Sequence, residues 1–280
     1  MTQSANPLRA FFRQPAIYIR LPSDGQFWPD GSLEIPPNKE IPVLPMTAID
    51  EITYRTPDAL FNGAATVNVI QSCIPSIKNA WVMPQIDLNT VLTAIRIASY
   101  GKKMELNSTC PECSAENDFE LDLQDVMSQL ASPDFSSTVK YGDLEIFFRP
   151  MNYQHQTDIN LLQFEQQRIL QQLPAAEMSE EEKNKMLNAA IQEITLITVK
   201  AIMNSIGGIK TPAAFVSEPE HIEDFLRNCD RQLYAQIRDK AIELRGADEF
   251  KPANVECPDC HHKYEQKFSL DSASFFANAS

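Results

Sequence analysis

The chain has 280 residues, of which 38 are acidic and 24 basic, so its formal net charge is −14 at pH 7. This length suits one large domain or two to three small ones, and 43% hydrophobic residues are typical of an ample core. Nucleic-acid affinity comes largely from clustered lysine and arginine, so the acidic balance argues against nucleic-acid binding. No apolar run reaches the eighteen or so residues of a membrane helix, and no secretory signal pattern is present, so we expect no membrane span.

The N-terminal part is predicted to be an irregular, proline-rich β-arm over residues 15–45. Ile17, Ile19 and Leu21 alternate with polar or aromatic residues, which indicates a strand with a period of two. A second short strand is predicted from Leu33 to Ile35. Ordered arms of this kind either form the edge of a domain or wrap around a neighbouring protein.

A cluster of helices is predicted to follow the arm. Thr47 is a candidate N-cap with Asp50 three residues later, and Pro57 fits the first turn of a second helix. Residues 64–74 are expected to form a third helix. Asp87 is expected to cap a fourth helix, which ends at Gly101.

The strongest motif consists of two cysteine pairs with the same spacing, Cys110 with Cys113 and Cys257 with Cys260. Each CxxC places two thiols on one tight turn, and the residues after each pair also follow a similar pattern. This indicates a decayed repeat of one β-hairpin. Two such turns supply the four ligands of a closed tetrahedral site, so we predict one structural zinc ion in a zinc-ribbon-like unit.

Other interpretations of the cysteines remain open at this point. Disulfides are disfavoured because six cysteines in 280 residues without a signal peptide suggest a reducing compartment. A redox CxxC usually stands singly, and catalytic zinc keeps a ligand position for water. His261 or His262 could replace one thiolate; as neighbours on a strand they would point to opposite faces. A site without metal is the remaining alternative.

The segment between the cysteine pairs is predicted to contain a β-hairpin and a helical excursion. Thr138–Tyr141 and Leu144–Phe148 flank Gly142, and one face of this hairpin is expected to pack against the zinc unit. A helix over 159–173 and a second helix, opened by a capping box of Ser179 and Glu182, would form an antiparallel hairpin.

The second helix of the excursion is expected to run to about Ser205, with Gly207–Gly208 as its stop. The glutamine-rich outer face of the hairpin is either a docking surface or a solvated face over a local core. Ser217 and Glu220 are predicted to form another capping box, and a further helix around Leu233–Leu244 leads to Gly246.

No functional role is predicted for the isolated residues with reactive or charged side chains. Cys73 is expected in the core, Arg55 and Arg96 on the surface or in ion pairs, and His155 and His221 have no ligand or nucleophile spacing. The common nucleotide-binding, hydrolase and metalloprotease motifs are absent. We therefore expect no catalytic residues and no small-molecule substrate.

The predicted fold class is α+β, with an N-terminal β-arm and helix cluster, a zinc-ribbon-like β unit and an inserted helical hairpin or bundle. The N-terminal arm and helix cluster are predicted to span residues 1–101. The two halves of the β unit are predicted at 102–150 and 247–280, the second including the C-terminal tail, and the inserted helices at 151–246. Phe275 and Phe276 lie almost at the end of the sequence. Because exposed aromatics lower solubility, this tail either folds back or inserts into a partner, and we expect partner binding.

The order of these features resembles the baseplate protein family of T-even-type contractile-tailed bacteriophages. The resemblance covers most of the chain and is weakest over the helical insert. It implies a hub-associated component or hub-assembly factor that binds other tail proteins, is assembled in the host cytoplasm and either stays in the virion or leaves it. It transfers no catalytic residues. The motifs that carry it are Leu21-Pro22-Ser23-x-Gly25, Asn62-Gly63, Cys73-Ile74, Ile95-Arg96, Tyr100-Gly101, both CxxC pairs and the Phe-Phe terminus.

Overall fold

The structure is a computed structural model that describes residues 6–54, 63–173, 178–246 and 250–268. The predicted helix at Pro57, Arg55, and the terminal Phe275 and Phe276 lie outside these residues. The mixture of helices and small sheets is consistent with the α+β class, and the predicted division of the chain stays a prediction.

Two short 3-10 helices, Pro7–Phe11 and Ala80–Val82, accompany the regular elements. The strands are β1 (Ile17–Ile19), β2 (Ile41–Val43), β3 (Lys103–Thr109), β4 (Glu116–Asp122), β5 (Val139–Tyr141), β6 (Leu144–Phe148), β7 (Ile206–Lys210), β8 (Phe215–Val216), β9 (Ala253–Glu256) and β10 (Lys263–Gln266). The helices are α1 (Ala48–Tyr54), α2 (Ala64–Cys73), α3 (Gln85–Tyr100), α4 (Leu123–Ser128), α5 (Tyr153–Gln172), α6 (Glu180–Asn204), α7 (Pro219–Asn228) and α8 (Arg231–Gly246).

The largest core lies around α2 and α3. Ile70 and Ile95 are fully buried there, and Cys73 is buried beside them, as predicted. The predicted extent of α2 is confirmed to within one residue. Helix α3 ends at Tyr100, and its C-cap is Gly101, whose φ of 88° is accessible to glycine without strain. Thr47 caps α1 as expected, since its hydroxyl accepts from the Asp50 amide.

The second strand of the N-terminal arm lies at a different place from the prediction. The partner of β1 is β2, not the segment Leu33–Ile35, and Leu33 makes only an isolated bridge to Ile77. Ile41 and Val43 are both buried on one face, so β2 has the alternation that a half-buried strand needs. A proline at position 42 is tolerated because the sheet has two strands and therefore only edges.

Asp87 does not cap α3, which corrects the sequence-based expectation. The helix begins at Gln85, and Asp87 lies in its first turn, fully buried. Its carboxylate accepts hydrogen bonds from the Ser23 amide (2.8 Å), the Ser23 hydroxyl (2.5 Å) and the Trp28 indole (2.8 Å). This side chain therefore fastens the turn of the arm to the helical core.

Arg96 is buried, so the first alternative, a solvated surface side chain, was wrong. Its guanidinium lies 4.7 Å from the centre of the Tyr100 ring, in a cation–π arrangement. Burial lowers the pKa of Arg96, and the interaction with Tyr100 opposes that shift.

A four-stranded antiparallel sheet has the order β5-β6-β7-β8. The predicted hairpin at Gly142 is confirmed as β5–β6, but the expectation that it packs against the cysteine turns was wrong. Strand β6 hydrogen-bonds to β7, and Ile146 and Phe148 pack in a second core with Ile202 and Ile237 of the helical region.

Gly207 and Gly208 lie in β7 and do not end the preceding helix. Helix α6 ends at Asn204, and Ser205 is its C-cap. A Cβ atom at Gly208 would come within 2.2 Å of the Phe215 ring, so a larger residue here would displace this exposed aromatic side chain of β8.

Helices α5 and α6 form the predicted antiparallel hairpin. The capping box of Ser179 and Glu182 is confirmed. Helix α5 begins before the predicted start because the side chain of Asn152 accepts from the His155 amide. The capping box predicted at Ser217 was wrong, since α7 begins at Pro219 without a side-chain cap.

Among the described residues, one helix is long and apolar enough to cross a membrane by length and composition alone. This helix is α6, and 22% of its most apolar stretch is buried. From the sequence we expected no apolar segment as long as a membrane helix, and α6 is an exception by length and mean hydropathy. It is weak evidence, because helices of soluble proteins can pass the same test.

Candidate metal centre

The first cysteine pair lies in the turn of the β3–β4 hairpin, whose seven residue pairs run from Lys103 opposite Asp122 to Thr109 opposite Glu116. The Cys110 amide donates to the Ala115 carbonyl, and the Ser114 amide donates to the Cys110 carbonyl, both at 2.9 Å. Ser114 has a φ of 58°, in the left-handed region. These bonds bring the two thiols to the same side of a tight turn.

The second pair has the same local structure in the shorter hairpin β9–β10. The Cys257 amide donates to the His262 carbonyl, and the His261 amide donates to the Cys257 carbonyl, again at 2.9 Å. His261 also has a φ of 58° and corresponds in position to Ser114. The two turns therefore share their backbone hydrogen bonds, which supports their origin as a repeat of one hairpin.

The four thiols converge between the hairpins. All four Sγ atoms lie within 4.8 Å of one another, and both Cys110–Cys260 and Cys113–Cys257 have Sγ–Sγ distances of 3.6 Å. A tetrahedral ion with metal–sulfur bonds of about 2.3 Å separates its sulfurs by about 3.8 Å. All four cysteines are free thiols. The donor set and its spacing therefore fit one closed tetrahedral metal site.

Backbone hydrogen bonds favour the thiolate of Cys257. The backbone amide of Cys260 donates to its sulfur and, together with that of Asp259, lowers the pKa of Cys257 to about 6 against the opposing effect of burial. Asn117 adds a side-chain donor, with Nδ2 at 3.5 Å from the same sulfur. Since the thiolate is the form that binds metals, these hydrogen-bond donors favour metal binding by Cys257. The pKa of Cys260, in spite of a backbone hydrogen bond from His262, is raised to about 12 by burial and by hydrogen bonds with the other three thiols.

Neither histidine belongs to the thiol cluster. His261 lies in the turn, not on a strand, and its Nδ1 is 3.4 Å from a Glu256 carboxylate oxygen. The His262 ring stacks against Tyr264, with ring centres 6.1 Å apart. The expectation that the two histidines alternate along a strand was wrong.

The two hairpins also contact each other through polar groups that the sequence did not reveal. The Ser108 hydroxyl is 2.9 Å from the Tyr264 hydroxyl and donates to Gln266 Oε1 at 2.5 Å. Asn117 reaches from the first hairpin to a sulfur of the second. Asn117 lies seven residues after Cys110, and the equivalent position after Cys257 is Tyr264. Because the two halves differ there, comparing them could not predict the role of Asn117.

Comparison with known proteins identifies the family. The sequence model of the family described as T4 bacteriophage base plate protein matches residues 39–277, which is most of the chain. The chain belongs to this family. No curated protein and no solved structure matches it. The resemblance found from the motifs is therefore confirmed, and the match includes the helical insert, where that resemblance was weakest.

Proposed function

We propose that this baseplate-family protein is a hub-associated component or hub-assembly factor that works by binding other tail proteins and has no catalytic activity. The observation that carries the proposal is the family match over residues 39–277. Membership of the family supports a location in the tail baseplate of the virion and partners among the other structural proteins of the phage. Assembly would take place in the host cytoplasm.

In this proposal, Cys110, Cys113, Cys257 and Cys260 hold one structural zinc ion. The convergence of four sulfurs supports this, and four thiolates leave no open position for a substrate. Zinc would join two hairpins whose inner cysteines are separated by 143 residues (257 − 113 − 1). Structural zinc binding supplies an apparent ~10–16 kcal/mol, whereas the cost of closing a loop grows only with the logarithm of its length.

Phe275 and Phe276 are proposed to contact a partner. Deletion of 275–280 should then weaken binding to tail proteins and leave the melting temperature of the isolated chain nearly unchanged. A much lower melting temperature would mean that the tail belongs to the core of this chain.

The proposal is tested by locating the protein during infection. Mass spectrometry of purified virions and of isolated baseplate intermediates should detect the chain in at least one of them, and its presence in intermediates alone would identify an assembly factor. Absence from both contradicts the proposal. Native mass spectrometry of freshly purified protein should show one zinc ion per chain, and either no metal or two ions would contradict the shared site.

A nucleic-acid adaptor is the alternative that cysteine turns of this kind suggest. The net charge of −14 opposes it. An electrophoretic shift assay at low salt distinguishes the two, because electrostatic attraction is strongest there. A shift would favour the adaptor, and its absence at low salt would remove that alternative.

A further inference from the structure

The helical hairpin has little support beyond its own two helices along much of its length. Helices α5 and α6 have 20 and 25 residues, which correspond to about 30 and 37 Å. From Glu180 to Leu196, Ala190 is the only buried residue. Only the C-terminal part of α6, including Ile202, packs into the core beside the four-stranded sheet.

An apolar stripe runs along the exposed part of α6. Leu187, Ile191 and Ile194 are spaced four and three residues apart, so they share one face of the helix. Their exposed fractions are 37%, 50% and 36%. Such a stripe at the intervals of a helix-packing seam is suited to contact with another helix.

The same part of α6 carries almost no charge. Between Met186 and Val199, Glu193 is the only charged residue, although the whole chain has a net charge of −14. Two copies of so acidic a protein repel each other over most of their surface. A face with so few charges is where they can approach at the lowest electrostatic cost.

We propose that this stripe packs against the same stripe of a second copy, so that two hairpins form an antiparallel four-helix bundle. A two-fold interface needs a self-complementary surface, and an apolar stripe meets that requirement without matched charges. The relative direction of the two α6 helices follows from three consecutive acids at the start of α6, Glu180, Glu181 and Glu182. A parallel arrangement would bring the two acidic ends together, whereas an antiparallel one keeps them apart.

The size of the hairpin is adequate for such a dimer. The exposed part of α6, residues 180–196, is about 25 Å long, so a face two helices wide, at about 10 Å for each helix, covers about 500 Å² per copy. Two copies would bury about 1,000 Å² in total, the size of a small, reversible interface. The inference does not depend on the baseplate assignment.

The test uses the full chain with its metal bound. Sedimentation velocity over a range of concentrations should show a reversible dimer for the unchanged protein. Ile191→Glu should raise the dimer dissociation constant roughly 30-fold or more, because it places a charge at the centre of the apolar contact. Ile242→Glu, which changes an exposed isoleucine on α8, is the matched control and should dimerise normally. Unchanged zinc content and melting temperature of the monomer would show that Ile191→Glu still folds.

The antiparallel arrangement of the two hairpins is tested by a distance measurement between spin labels. In a Cys229→Ser background, spin labels at Glu181→Cys should lie about 30 Å apart in the dimer, because each label is ten residues from a two-fold axis near Ile191. A separation of about 10 Å would indicate parallel helices and contradict the arrangement.

Other occupants of the stripe give different outcomes, and each overturns the proposal. A chain that stays monomeric at its highest soluble concentration has no self-association surface. A dimer that persists in Ile191→Glu uses another interface. Flotation with phosphatidylcholine–phosphatidylglycerol vesicles, lost in Ile191→Glu, would assign the stripe to a membrane surface.

Discussion

The core around α2 and α3 and the paired hairpins β3–β4 and β9–β10 are held together in different ways. In the core, large side chains such as Ile70 and Ile95 are fully buried. In the four strands of the hairpins, the buried residues are Ser108 and Asn117, both polar. The further buried side chains of this unit are the thiols of Cys110 and Cys257 in the turns.

Hydrophobic burial therefore contributes less to the cysteine unit, whose Met104 and Leu121 are only partly buried against that core. Burial contributes about 25 cal/mol for each Å² of apolar surface, and small β units have too little of it to be stable alone. In the proposed zinc site, coordination would concentrate the stabilisation in four side chains. The α2–α3 core should therefore tolerate metal loss, and the paired hairpins should not.

Loss of a thiolate is expected to have the largest effect. Cys110→Ser and Cys257→Ser should each abolish stoichiometric zinc binding, since a structural site contributes about 10–16 kcal/mol in small domains and needs all four ligands. Hydrogen exchange should then become fast in the paired hairpins and remain slow in α2 and α3. The metal content is measured by native mass spectrometry.

The double variant tests whether the site is shared. Because both substitutions break one unit, the double variant should be scarcely less stable than either single variant. Cys229→Ser, which changes a cysteine outside the cluster, is the control and should keep its zinc. Additive losses would indicate two independent sites.

Ile95→Ala should have the opposite effect to loss of a thiolate, since it destabilises the core and leaves the zinc site intact. This fully buried side chain leaves a cavity when truncated, so the free energy of unfolding should fall by about 2–5 kcal/mol. Urea denaturation measures that change, and the zinc content of the folded protein should stay at its original level. Loss of zinc from Ile95→Ala at urea concentrations where the unchanged protein keeps its zinc would show that the hairpins depend on the core.

Asp87→Ala should lower the stability by about 3 kcal/mol, because it leaves buried donors of Ser23 and Trp28 without an acceptor. Asp143→Ala, at an exposed turn, is the matched control. An effect of similar size in both variants would contradict the role of the buried network.

The same carboxyl group should make stability depend on pH. Burial raises the pKa of Asp87, while hydrogen bonds from Ser23 and Trp28 oppose the shift. The folded state thus binds the proton more tightly than the unfolded chain, and this contribution is present below the unfolded pKa and lost as pH rises through the folded pKa. Relative to Asp87→Asn, the unchanged protein should lose stability across that window in urea titrations, and a constant difference would contradict the shift.

Asn117→Ala is expected to have the smallest effect. It removes the donor to the Cys257 sulfur and should weaken zinc affinity about 10-fold, a typical result for a group that supports a ligand. Competition with a chromophoric chelator measures the affinity. Asn254→Ala, at an exposed position of β9, should leave it unchanged.

Much of the fold was predictable because local patterns specify it. The apolar periodicity of α2, the capping box at Ser179 and the glycine at the β5–β6 turn act over a few residues, and the structure has all three. The partner of β1 was not predictable in this way. Both Leu33–Ile35 and Ile41–Val43 have strand-like sequences, and only packing against the core selects the second.

The sequence by itself determined the four cysteines of the candidate site, because CxxC spacing is a local property of a turn. Tertiary structure alone decided that the four sulfurs meet, that Asn117 supports one of them, and that Asp87 fastens the arm when a helix cap was expected. It also decided that β6 joins β7 and not the cysteine unit. These contacts join residues far apart in the chain, and their partners are selected by the three-dimensional packing of buried apolar and polar groups, which short-range spacing does not encode.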